Sequence, residues 1–241
     1  MAAAPSRRPA APSAADQARE ESRRRWLSIA GVVGLVALVV LLAVAYNRAT
    51  RIEVTPAAFG STDYGLVVGS PDAPHEVVLY EDFLCPVCGE LEKQLDGRLA
   101  DLVAQGRVRV EYRPIAILDR FGPYSTDAAN AFFVVREAAG ADVALRFHDL
   151  LYADQPAEEA DEFPGAEALI ATAVQAGAVE SEVRPGIEDG SFEDLVDQAT
   201  KAAIEEGIPG TPTVVLDGEA FGTDRGPEEL ADTLVTALQE D

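Results

Sequence analysis

The stretch Glu81–Glu90, EDFLCPVCGE, holds both cysteines of a 241-residue chain. Two thiols with two residues between them suit half a metal site, a structural crosslink or a redox couple. Upstream, HEVVLYEDF (His75–Phe83) is β-branched and aromatic and follows the turn-rich GSPDAP at Gly69–Pro74, which predicts a buried strand entered from a turn. Downstream, Pro86 suits the first position of a helix. Leu91, Leu95, Leu99 and Leu102 then recur at helical spacing until Gly106 supplies a stop. Val108–Leu118 (VRVEYRPIAIL) reads as a second strand. Strand, helix, strand in succession predicts a parallel pair joined by a crossover helix. The cysteines therefore fall where a strand ends and a helix begins.

The middle of the chain is helical. Thr126–Ala139, Asp142–Ala153 and Ala166–Gly177 each show an apolar face, and Ser191–Gly207 is a further amphipathic helix with Ser191 as its cap. Thr211–Gly222 (TPTVVLDGEAFG) is a strand, an Asp217-Gly218 turn and a second strand, a hairpin pattern. Gly226-Pro227 then opens a last helix carrying Leu230, Leu234 and Leu238. Acidic AEEADE at Ala157–Glu162 reads as solvated loop, without the ligand spacing of a calcium loop.

Zinc needs about four ligands, and the two histidines do not complete a set. His75 falls in the turn before the strand, and His148 falls in an apolar helix as a packing residue. No metal site is expected. A crosslink between residues three apart closes a tiny loop and contributes little to folding. A redox couple fits the position. A Cys85 thiolate would face unpaired N–H groups and the positive end of the helix dipole, which lowers a cysteine pKa. Cys88, one turn further in, would be more buried. One sulfur would then be accessible and a good leaving group, the other placed to resolve a mixed disulfide.

With these motifs assembled, the sequence resembles the DsbA-like branch of the thioredoxin superfamily, in its membrane-tethered actinobacterial form. The resemblance covers about residues 64–241 and rests on GSPDAP, YEDFLCPVCG, FHDLLYADQP (Phe147–Pro156) and GIPGTPT (Gly207–Thr213). It implies an α/β thioredoxin fold with an inserted helical subdomain at about residues 119–206. It also implies a cis peptide at Thr211-Pro212 facing the cysteines, with Thr211, Pro212, Pro86 and Val87 contacting substrate and Cys85 as the reactive sulfur. No bound cofactor is required. The implied partners are exported proteins with free cysteines and a membrane oxidant of the vitamin K epoxide reductase-like kind.

Two positions depart from the common pattern. Many thioredoxin-like proteins place a buried acid six residues before the first cysteine, where this chain has Leu79. Strand alternation puts Glu81 on the same face as Leu79, which makes Glu81 the candidate to relay a proton to Cys88. Asp82 points the other way and is the weaker candidate; the alternative is that both are loop-end carboxylates in solvent. Val87 stands where the best-known oxidases carry histidine, and losing an imidazolium beside Cys85 predicts a less oxidising couple.

The N-terminal part differs in kind. Residues 1–25 are rich in Ala, Pro, Ser and Arg and read as a disordered tail. Trp26–Tyr46 is uncharged, and as a helix it would be about 30 Å long, the thickness of a bilayer core. Arg23, Arg24 and Arg25 precede it, so the positive-inside bias places the N-terminus in the cytoplasm and the rest of the chain outside. An uncleaved anchor fits best. A signal peptide cleaved near Ala43–Ala45 and a twin-arginine signal at SRRRWL (Ser22–Leu27) are the alternatives. Residues 47–63 read as a linker. Residues 49–241 carry twelve Lys or Arg against thirty-nine acids, which excludes a basic nucleic-acid patch.

The sequence thus predicts an extracytoplasmic, single-pass membrane-tethered protein disulfide oxidoreductase, acting as an oxidase. Two alternatives remain. One is a reductase or isomerase fed with electrons across the membrane. The other is a non-catalytic peptide-binding or metal-delivery module.

Overall fold

The computed structural model describes residues 64–95 and 97–240. The predicted tail, anchor and linker lie outside them. Among the described residues, no helix is long and apolar enough to cross a membrane. The strands are β1 (Leu66–Val68), β2 (His75–Glu81), β3 (Val108–Pro114), β4 (Thr213–Leu216) and β5 (Glu219–Phe221). The helices are α1 (Pro86–Leu95), α2 (Arg98–Ala104), α3 (Tyr124–Ala139), α4 (Ala141–Ala153), α5 (Ala166–Ala176), α6 (Glu180–Glu188), α7 (Glu193–Glu205) and α8 (Pro227–Gln239).

The five strands form one sheet in the order β1-β3-β2-β4-β5. β2 and β3 are parallel, with Leu79 opposite Tyr112, and the crossover helix predicted between them is present. β4 runs antiparallel to β2 with Val214 opposite Leu79, and β5 folds back on β4. The hairpin turn has positive φ at both Asp217 and Gly218, the backbone that matches strand twist. Asp217 also accepts hydrogen bonds from His75 Nδ1 and the Glu76 amide, at 2.9 and 2.8 Å. His75 is thus the first residue of β2 rather than part of the preceding turn.

Alternation along β2 divides the interior in two. Val77 and Leu79 face the main core, with Val108, Val110, Tyr112 and Val214 and the leucines of α1, α2 and α8. Val78 and Tyr80 face a smaller core closed by Ala199 and Ala203 of α7 with Ile115 and Ile208. The five helices α3–α7, inserted between β3 and β4, supply the aromatic and alanine-rich part of the main core.

Four local readings are corrected. The helix after Cys85 breaks at Gly97, whose φ of 69° interrupts the turn. Leu91, Leu95, Leu99 and Leu102 stay buried on both sides of the break. β3 ends at Pro114, and the following residues are held as a loop by Asp82. Ser191 does not cap α7; Asn130 Oδ1 instead accepts from the Phe192 amide at 2.8 Å. α6 was not anticipated, because Pro185 within it reads as a breaker. It is held by burial of Val183 and Ile187 against the main core.

Candidate active site

Cys85 precedes the first residue of α1, and Cys88 lies inside its first turn. Both thiols are free. The Cys85 carbonyl accepts from the amides of Cys88 and Gly89 at 3.1 and 3.2 Å, which fixes the loop-to-helix entry. Gln155, two residues beyond the end of α4, clamps the same loop from outside. Its Nε2 donates to the carbonyls of Phe83 and Cys85, both at 2.9 Å. Gly89 leaves room for this side chain, since a Cβ there would strike Gln155 Oε1.

The two sulfurs differ as the sequence predicts in kind. The Cys85 thiol is lowered to about 6, chiefly by a hydrogen bond from Cys88, with help from Thr211 and the Cys88 and Val87 amides against the cost of burial. Burial and the neighbouring Cys85 push Cys88 well above the ordinary thiol range, and the Glu81 charge adds to this. Exposure separates them less than expected. Cys85 retains 5 % and Cys88 none, so selectivity between them comes from electrostatics more than from access.

Cys85 Sγ donates to the Thr211 carbonyl at 3.3 Å, and the Thr211-Pro212 bond is cis. Thr211 and Pro212 line a groove of about 290 Å³ with Val87, Pro209, Phe221 and Arg225. Of the four residues implied as substrate contacts, Thr211, Pro212 and Val87 meet there. Pro86 is exposed nearby but does not line it.

Neither acid before the cysteines is in solvent. Asp82 is fully buried and is a structural anchor. Its carboxylate accepts from the amides of Leu84, Ile117 and Leu118 and from Ser125 Oγ at 2.6 Å. Glu81 points the opposite way, on the Leu79 face, and is also buried. Its Oε2 meets His148 Nε2 at 2.9 Å.

His148 therefore is more than the packing residue expected from its apolar helix. Its ring lies among Tyr112, Tyr152, Phe83 and Phe132, with centroids 4.7 to 6.3 Å away. Burial alone would lower its pKa, but Glu81 and Asp149 override this and push it up to about 10. The shift favours the imidazolium at neutral pH. The only sequence signal was its place in FHDLLYADQP, which also carries Gln155.

A thioredoxin family model matches residues 61–235. The chain belongs to this thioredoxin family. Solved structures agree with the DsbA-type resemblance. DsbA of Mycobacterium tuberculosis in its oxidized form is 30 % identical with a TM-score of 0.61, over 73 % of this chain and 93 % of that one. The reduced DsbG of the same organism is 28 % identical with a TM-score of 0.60, over 73 % and 95 %. MdbA of Corynebacterium diphtheriae, a thiol-disulfide oxidoreductase, is 25 % identical with a TM-score of 0.62, over 74 % and 91 %. Among curated proteins, Na(+)/H(+) antiporter NhaA 3 of Salinispora tropica is 31 % identical over 173 residues. NhaA 1 of Salinispora arenicola is 39 % identical over 90 residues. These alignments cover 71 % and 37 % of this chain, which spans only 24 % and 13 % of those relatives' length. The chemistry this thioredoxin-family site is built for is thiol–disulfide exchange.

Proposed function

We propose that the protein is an exported, membrane-tethered thiol–disulfide oxidoreductase that works as an oxidase on secreted or cell-wall proteins. The observation that carries this reading is the placement of the pair at the start of α1, Cys85 against the Thr211 carbonyl and Cys88 fully buried behind it; this placement lowers the Cys85 pKa to about 6 and pushes that of Cys88 up. A thiolate stabilised at Cys85 favours the reduced form of the pair, which is what makes a dithiol protein an oxidant.

A substrate thiolate attacks Cys85 in the oxidised pair, forming a substrate–Cys85 disulfide and releasing Cys88. Cys88 takes up a proton, which Glu81 relays. A second substrate thiolate then attacks the substrate sulfur, and Cys85 departs as a thiolate. Two electrons pass from two substrate thiols to the Cys85–Cys88 pair. A membrane oxidant, in this reading a vitamin K epoxide reductase-like protein, removes them again. The uncharged Trp26–Tyr46 segment supports the tether. The groove beside Thr211 and Pro212 supports docking of an extended peptide. Ion transport is not carried over from the antiporters, of which this chain spans about a quarter or less.

Replacing Cys88 with Ser tests this directly. The variant should accumulate mixed disulfides at Cys85 in cells, visible on non-reducing gels and abolished by Cys85→Ala. An empty trap would favour a non-catalytic binding module.

A further inference from the structure

The groove beside Thr211 and Pro212 has a largely apolar wall, where Val87, Val214, Phe221 and Leu230 meet. Among the described residues that line it, Arg225 alone carries a charge. Its sign opposes that of its surroundings. Residues 49–241 hold twelve Lys or Arg against thirty-nine acids, a net of −27. A domain charged in this way draws basic ligands from a distance and repels acidic ones. At the point of docking the local charge is positive instead.

Arg225 is held at this wall. Its amide donates to the Gly222 carbonyl at 3.0 Å, which turns the loop between β5 and α8 back on itself. The guanidinium carbon lies 5.8 Å from the centre of the Phe221 ring, within reach of a cation–π contact. Gly222, at φ 63°, keeps the space beside it open. A Cβ there would strike Leu230 and lie 3.2 Å from Arg225 Nη1.

The carboxylates that face the guanidinium leave its fork of donors available. Asp224 stands at 3.9 Å and Glu229 at 3.5 Å, and both are exposed. Charge-assisted hydrogen bonds are shorter, about 2.7–2.9 Å, and ion pairs of this looser kind contribute little. A guanidinium offers five N–H donors in a plane, two of which fit the two oxygens of one carboxylate.

We propose, on the oxidoreductase reading, that Arg225 is a specificity-determining residue that takes the carboxylate of an Asp or Glu beside the substrate's reactive cysteine. The substrate segment lies extended past Thr211, with apolar side chains against Val87, Phe221 and Leu230 and its acid on the Arg225 guanidinium. The preferred substrates are exported proteins whose cysteine sits in an apolar stretch with one nearby acid. The overall field and the local charge thus select for different things. The first favours a neutral or basic protein, the second an acid at one position.

The experiment uses the oxidised full chain and peptides with two cysteines joined by a flexible spacer. Glu, Gln or Lys is placed in turn within about three residues of the first cysteine, about 10 Å of extended chain to either side. Single-turnover rates of peptide disulfide formation are read in 0.15 M salt, where a Debye length of about 8 Å screens the distant charges. Fluorescent peptides with serine in place of cysteine read binding alone. At the best position the rates should fall in the order Glu, Gln, Lys. Glu should exceed Gln about fivefold, between a surface ion pair and a charge-assisted hydrogen bond. Arg225→Gln should erase the order and Arg225→Glu should invert it.

Lys ahead of Glu in the wild type, as the overall charge alone would give, would overturn the assignment. So would equal rates at every position, or an order unchanged in Arg225→Gln. In each of these cases peptide oxidation itself would leave the oxidoreductase reading standing. A Glu preference among the serine peptides that Arg225→Gln abolishes, in a protein that oxidises no peptide, would keep the carboxylate site and remove that reading instead.

Discussion

Cys85 Sγ and the Thr211 carbonyl oxygen meet at 3.3 Å, although 126 residues separate them in the chain. The contact joins the start of α1 to the entry of β4, and sheet order explains it. β4 lies beside β2, so the residues just before β4 sit against the loop that leaves β2. The Cys85 sulfur is thereby held beside the groove that Thr211 and Pro212 line.

The first prediction concerns this sulfur. In the reduced protein, alkylation by iodoacetamide should occur at Cys85, with a rate that rises with pH around a midpoint near 6. Cys88 should stay unmodified across the same range. Peptide mass spectrometry reads both. A single midpoint near the ordinary thiol value of about 8.5 would contradict the electrostatic asymmetry.

His148 gives a second prediction, in stability. Its pKa rises from 6.5 to about 10 on folding, so the folded state binds its proton more tightly than the unfolded state. The stabilisation is full below about pH 6.5 and is lost as pH climbs toward 10. His148→Gln should flatten that decline. It should also cost about 3–5 kcal/mol at pH 6, the usual penalty for stranding one member of a buried pair. Urea unfolding of a background lacking both cysteines checks this without thiol titration. A parallel pH dependence in the two proteins would refute the assignment.

The legible part of this molecule was what repeats or punctuates. Alternation in HEVVLYEDF located β2 and put Glu81 on the Leu79 face. The leucine spacing found the buried face of α1 and α2, and Asp217-Gly218 found the hairpin. Gly97 escaped because the leucine pattern runs through it without a change of phase. His148 escaped for a different reason. Its partner Glu81 lies 67 residues away, and nothing local distinguishes an ion-paired histidine in an apolar helix from a packed one.

Gln155 carries a third prediction. Gln155→Ala removes the donor to the Phe83 and Cys85 carbonyls; the Cys85 carbonyl keeps the Cys88 and Gly89 amides, so the cost should be about 1 kcal/mol, mainly from the Phe83 carbonyl. Because the clamp holds the loop carrying Cys85, dithiol exchange should slow as well. Thermal unfolding together with an exchange assay would show both effects. Loss of neither would mean the clamp is dispensable.

Val87 carries a fourth. It is 47 % exposed on the groove side of α1, where an imidazole would face Cys85 from solvent. Val87→His should lower the Cys85 pKa further and make the pair more oxidising by roughly 30 mV, equivalent to about 1.4 kcal/mol in thiolate stabilisation. Equilibration of the wild type and the variant in the same glutathione buffers would measure the difference. An unchanged or more reducing variant would contradict it.

The reduction potential of the Cys85–Cys88 pair decides most directly between the two directions of electron flow. It should be read by thiol-alkylation gel shift, because the only tryptophan, Trp26, is remote in sequence from the site. A value between about −120 and −180 mV, the range of oxidising exchange proteins, is the predicted result. A value near −270 mV, that of thioredoxin, would contradict the oxidase and reverse the direction of electron flow.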